Sequence, residues 1–137
     1  MNAGTSTTAV EDAFEIVIAP EPELVARARQ STVDRLYRWG LRTEAVEVAA
    51  LVVSELVTNG VVHGKGQVRL RVFRYAEDEL RVEVRDESPE PARVRDADDD
   101  ALGGRGLCLV DALSQGWGVS PDGRTTWAAL SAPAGGA

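Results

Sequence analysis

A chain of 137 residues, 44% of them hydrophobic, has the length of one ordinary domain and enough apolar mass to build its core. The net charge of −7 lacks the basic footprint of a duplex nucleic-acid binder and leaves protein partners open. Cys108, the single cysteine, allows neither an internal disulfide nor a zinc-type cluster, which fits a reducing cytoplasm. The N-terminal MNAGTSTTAVEDAF has no basic segment followed by an apolar run, so no signal peptide is expected. No apolar stretch is expected to approach the roughly 20 residues of a membrane span.

Residues 1–12 are small and polar and read as a flexible N-terminus, with a folded domain over 13–131 and a flexible tail over 132–137. FEIVIAP (14–20) alternates as a strand. Pro22 suits the first turn of a helix over about 22–39, which buries Val25, Ala28, Val33, Leu36 and Tyr37 before Gly40 ends it. Thr43 is a candidate N-cap for a second helix over about 44–62. Val46, Ala49, Ala50, Val53, Leu56 and Val57 share one face of that helix, and Val48, Leu51, Val52 and Val62 lie opposite. A helix apolar on both sides reads as sandwiched in the interior. GKGQ (64–67) is a loop. VRLRVFRY (68–75) and ELRVEVRD (79–86) alternate on either side of a short acidic turn and form a hairpin. ESPEPARVRDADDDALGG (87–104) reads as a long irregular loop of the kind that often forms a functional lid. RGLCLVDALSQ (105–115) reads as a helix, and WGVS, a Pro-Asp-Gly turn and RTTWAAL (124–130) as a closing hairpin in which Trp117 and Trp127 pack together. The fold class expected from this order is α+β: a mostly antiparallel sheet with helices packed on one face.

Three polar features stand out against this apolar frame. Glu55 and Asn59 lie one turn apart on one face of the second helix. As a site lining, the carboxylate would serve as a proton acceptor and the amide oxygen as a hard ligand for Mg²⁺. As a surface patch, both would simply face water. Asp86 follows Leu80, Val82 and Val84 at period two and therefore shares their core-facing side. It is either a backbone cap at a strand end or an acceptor for an exocyclic amine. GGRGL (103–107) places Gly103, Gly104 and Gly106 at the opening of a helix, where the backbone allows close approach and the helix terminus favours anions; the alternative is an ordinary loop-to-helix turn. The run Asp96, Asp98, Asp99, Asp100 reads as a solvated loop face, and Cys108 as a small core residue.

In this order the pieces resemble the nucleotide-binding motifs of the GHKL superfamily, which includes gyrase, heat-shock-90 chaperones, histidine kinases and mismatch-repair ATPases. SELVTNGVVHG (54–64) looks like the N-box, VEVRDESPEP (82–91) like the strand and loop of the first glycine box, and GGRGLCLVDALSQGWG (103–118) like the second. With Ala26-Arg27 upstream, the set is most similar to stand-alone bacterial anti-sigma-factor serine/threonine kinases and related regulatory ATP-binding proteins. The resemblance covers about residues 13–131 and implies a Bergerat-type two-layer sandwich. It also implies ATP and Mg²⁺ as cofactors. Carried over by position, Glu55 would be the general base, Asn59 would hold Mg²⁺, and Asp86 would accept the adenine amine. Gly104, Arg105, Gly106 and Leu107 would line the phosphates, and Thr125 would approach the base. His63 belongs to the N-box pattern as a structural residue. The first glycine box departs from the family's pattern: Glu87-Ser88-Pro89-Glu90 follows Asp86 where two glycines are usual. Gly60 stands where alanine usually follows the N-box asparagine.

The length leaves no room for the transducer domain of the larger relatives, and the only histidine lies inside the N-box, so no phosphoacceptor helix is expected. The resemblance therefore implies a cytoplasmic regulator that phosphorylates an antagonist protein and sequesters a sigma factor, with a homodimer as a further possibility. The alternatives are an ATP-binding module that works by association alone, and a generic α+β interaction domain whose polar residues are structural.

Overall fold

A computed structural model describes residues 12–88 and 101–133, of which 101–106 are described by their backbone alone. The elements are β1 (Ala13–Ile18), α1 (Glu23–Arg38), α2 (Thr43–His63), β2 (Val68–Ala76), β3 (Glu79–Arg85), α3 (Ala101–Leu113), β4 (Gly116–Val119) and β5 (Thr125–Ser131). The five strands form one sheet in the order β1-β2-β3-β5-β4, antiparallel at every described pairing. The α+β class and the two-layer arrangement follow from what covers this sheet. Period two sends Phe14, Ile18, Val68, Leu70, Val72, Leu80, Val82, Val84, Ala128 and Leu130 to one face, where they join buried residues of all three helices in a single core.

The opposite face carries charge and rings. Arg71 lies over the Phe73 ring at 4.3 Å, and Arg81 over Tyr75 at 4.0 Å and Trp127 at 4.9 Å. Glu15, Glu79 and Glu83 pair with Arg69, Arg81 and Arg71 across this face. Trp127 faces Gly118, whose hypothetical Cβ would stand only 2.9 Å from the ring, whereas Trp117 faces Ala128 and donates its indole N–H to Asp111 at 2.9 Å. The two tryptophans are one register step apart, so they project to opposite faces and do not pack together.

Helix α1 buries Ala28, Thr32 and Leu36, spaced at four residues, while Val25 and Val33 flank this stripe and Tyr37 is exposed. The expected burial of Tyr37 fails because it sits about 100° around the helix from Leu36. The helix ends in a Schellman motif. The N–H of Gly40 donates to the Tyr37 carbonyl (3.0 Å) and that of Leu41 to the Leu36 carbonyl (3.2 Å), with Gly40 at φ +82.

Helix α2 begins at Thr43 itself, and Arg42 occupies the cap position without a side-chain cap bond, so Thr43 is not the N-cap. By length and composition α2 could cross a bilayer, with 21 residues and a mean hydropathy of 1.7 over its most apolar window. The expectation that no stretch approaches that length is therefore corrected. Its buried residues, Val46, Ala49, Val52, Val53, Leu56, Val57 and Gly60, make it the core helix. It is not sandwiched: Leu51 and Val62 are exposed, because the sheet covers one side of α2 and only its neighbouring helices reach the flanks.

Candidate functional site

Helix α2 and strand β3 run side by side with matching steps. Four helical residues advance about 6 Å and two strand residues about 6.7 Å. A Cβ on Gly60 would meet Val68 and Val84 at 3.4–3.5 Å, and one on Gly64 would meet the Asp86 carboxyl. Asp86 is thus placed at the C-terminal end of α2, on the helix-covered side of the sheet that period two assigns it. Its carboxylate is held by main chain. Oδ1 accepts the Ser88 N–H at 2.6 Å, and the Lys65 N–H also bonds to the carboxylate. The Asp86 N–H donates to the Arg124 carbonyl (3.0 Å) and the Glu87 N–H to the Lys65 carbonyl (2.8 Å), so residues 86–88 are stapled to the loop after α2. Burial raises the Asp86 carboxyl above its ordinary value; the two amides, then Arg85 and Arg124, pull it the other way without cancelling the rise.

Glu55 and Asn59 are both half-buried on α2 and have no hydrogen-bond or ion-pair partner among the described residues. Along the helix axis they stand about 13.5 Å and 7.5 Å before Gly64, the neighbour of Asp86. Along the axis, Glu55 and Asn59 thus precede the end of α2 beside which the Asp86 carboxyl sits. Helix α3 packs alongside α2, which puts the GGRGL segment on the helix neighbouring this strip. Helix α1 takes another flank, where a groove of about 310 Å³ is lined by Val25, Ala26, Arg29, Thr58, Val61 and Val62.

Not every expected site residue stands where the sequence put it. Helix α3 starts at Ala101, four residues before the expected start, so Gly103 and Gly104 fall inside its first turn rather than ahead of it, and Arg105 and Gly106 lie deeper in the helix than expected. Ala and Leu lead the helix propensities, and Ala101-Leu102 extend the helix across the glycines. The side chain of Leu107 is 2% exposed and packs in the core, which leaves its backbone as the only part able to face a ligand. Thr125 lies opposite Arg85 on the open face and accepts an Arg85 hydrogen bond at 3.0 Å. Thr126, opposite Val84, is the buried threonine on the helix side; sequence reading missed it, although the parity of Val84 and Asp86 carries that signal. Cys108 is exposed, since the inward stripe of α3 is Leu107 and Val110. His63 closes α2 half-buried. The acidic run at Asp96–Asp100 and most of the expected lid lie outside the described residues.

The arrangement is a two-layer sandwich with an amide and a carboxylate half-buried on its core helix and the main-chain-tethered Asp86 carboxylate beside that helix's C-terminal end. The profile of the histidine kinase-like ATPase domain matches residues 18–130, and the chain belongs to that family. A search of curated proteins returns no match. Membership implies ATP as ligand, accompanied by Mg²⁺, and the described residues fit both. The Asp86 carboxylate has acceptor sites left after its two amide bonds. No three His, Cys, Asp or Glu gather into a metal cage among the described residues. The half-buried Asn59 amide is the hard oxygen that would hold Mg²⁺, which takes one or two protein oxygens and completes its shell with phosphates and water.

Proposed function

We propose that this domain is a cytoplasmic regulator of the anti-sigma-factor type, which binds Mg-ATP and transfers the γ-phosphoryl group to a serine or threonine of an antagonist protein. The observation that carries the reading is the half-buried Glu55–Asn59 pair, without a partner among the described residues, on the helix whose end meets the tethered Asp86. A half-buried acid and amide without partners among the described residues add nothing visible to the packing and are apt as chemistry. Mg-ATP supplies the phosphoryl group and the cation that offsets its charge. Asn59 offers the cation a hard oxygen, Asp86 accepts the base amine, and Glu55 takes the proton of the attacking hydroxyl as its oxygen bonds to phosphorus and ADP departs. The α3 segment from Gly104 to Leu107 flanks the phosphates.

The test is transfer of labelled phosphate from ATP to the antagonist. Glu55→Ala is expected to slow transfer about 10²- to 10⁴-fold with nucleotide affinity little changed. Equal rates would remove Glu55 from the base role. Asn59→Ala is expected to abolish Mg²⁺-dependent binding in calorimetry while leaving the melting temperature in place. A second reading, regulation by association without transfer, is favoured by the missing glycines after Asp86. It predicts ATP binding with no labelled product from the wild type.

A further inference from the structure

Gly64 is a glycine that its own backbone does not require. It follows α2 at φ −87 and ψ −167, an extended conformation open to any residue. Two neighbours exclude a side chain there, the Gly60 carbonyl oxygen and the Asp86 carboxyl. A Cβ on Gly64 would stand 2.5 Å from the Asp86 Cγ and 2.6 Å from Oδ2, far inside van der Waals contact. The carboxylate cannot swing clear without giving up the Ser88 amide (2.6 Å), and the Lys65 amide holds it as well. The loop that presents the Lys65 amide is itself fixed, by the Glu87 N–H on the Lys65 carbonyl (2.8 Å) and by the left-handed Gly66 at φ +69.

We infer that Gly64 is a positioning residue for base selection: the space it leaves seats the Asp86 carboxylate against the end of α2, aimed to accept from a 6-amino purine and to reject a 6-oxo purine. This rests on the ATP-binding reading above and adds to it the residue that sets the selectivity. A carboxylate fixed by two amides presents its remaining lone pairs in one direction. It can accept from an exocyclic amine, and it meets a 6-oxo group with like partial charge. A methyl group at position 64 displaces the carboxylate from that direction without touching the base.

The experiment measures the affinities of Mg-ATP and Mg-inosine triphosphate for wild type, Gly64→Ala, Asp86→Asn and the double variant, together with the NMR titration of the Asp86 carboxyl. Wild type is expected to prefer ATP. Gly64→Ala should lower ATP affinity about 10- to 100-fold and leave the inosine nucleotide within about threefold, so that the preference collapses. In the Asp86→Asn background the alanine should add nothing. The Asp86 titration in Gly64→Ala should fall back towards the ordinary carboxylate value as the group moves to water. Should Gly64→Ala fail to fold, Ser88→Pro, which removes one tether and adds no bulk at position 64, is expected to give the same collapse. An ATP preference that survives in the folded variant, or in Ser88→Pro, overturns the inference, and so does an unmoved Asp86 titration. A wild type that binds neither nucleotide overturns the ATP reading and the selectivity with it, while the titration still decides the seat.

Discussion

Gly60, Gly64 and Gly66 each face an identifiable neighbour, Val68 and Val84, the Asp86 carboxyl with the Gly60 carbonyl, and the Glu87 carboxyl, whereas of Gly103, Gly104 and Gly106 the structure describes only the helical backbone in the first six residues of α3. At the Asp86 end the demands differ: Gly66 is held to a left-handed φ of +69, while at Gly64 the Asp86 carboxyl and the Gly60 carbonyl occupy the space of a side chain. In α3 glycine is a local weakness, since each glycine costs about 1 kcal/mol relative to alanine. The difference separates an end of the site where described contacts bear on the glycine from an end where helix propensity alone argues against it. A residue type shared by two motifs thus carries opposite mechanical meanings.

Substitution by alanine breaks or sharpens that contrast. Gly64→Ala should be the most costly, about 1–3 kcal/mol by denaturant unfolding, because the overlap falls on a tethered carboxyl and on the Gly60 carbonyl rather than on a free side-chain end. Gly104→Ala should act with the opposite sign and raise stability by about 1 kcal/mol, with a melting temperature a few degrees higher. If phosphate binding needs that backbone to leave the helix, the same variant weakens Mg-ATP in calorimetry. An unchanged affinity would show that nucleotide accepts the helical form. Gly60→Ala, one turn before Gly64, should be neutral or stabilising by up to about 1 kcal/mol. The nearest neighbours of its methyl group, Val68 and Val84, stand at ordinary contact distance, and the helix gains an alanine. Opposite signs for Gly60→Ala and Gly64→Ala would isolate the Asp86 seat from any general intolerance of α2.

The smallest effect is a pH slope. Because the folded carboxyl of Asp86 titrates above its unfolded value of 3.8, the folded state holds more protons between the two. Stability contributed by this group is then full below 3.8 and declines as pH rises through the folded value. Asp86→Asn should flatten that decline in unfolding curves taken across the window. Asp122 has the opposite sign. Bonds from Ser120, Arg124 and Arg85 hold its carboxyl well below the usual range, so its contribution is present at neutral pH and lost in strong acid.

Much of the site was legible because it rests on short-range periodicity. The one-turn spacing of Glu55 and Asn59 and the parity of Asp86 with Val84 need only the helical and strand repeats. What escaped depends on partners distant in sequence. Tyr37, Leu51 and Val62 are apolar by type, yet which flank of a helix is covered depends on where its neighbours lie. Thr125 and Thr126 are adjacent and chemically alike; only the pairing of β5 with β3 assigns one to each face. Gly103 and Gly104 read as the loop that opens α3, yet the helix runs through them from Ala101. Gly64 could be seen only as one more loop glycine until the strand carrying Asp86 was laid beside it.

Strand β5 comes last among the described strands yet lies inside the sheet, between β3 and β4. During synthesis the hydrophobic stripe of α2 emerges early, and the part of its cover that Ala128 and Leu130 provide leaves the ribosome roughly seventy residues later, at about 5–20 residues per second. For those seconds a segment apolar enough to enter a bilayer is only partly shielded. The nascent chain is therefore a natural client for holding chaperones, and truncation before residue 125 should divert it to proteolysis rather than leave a partly active domain.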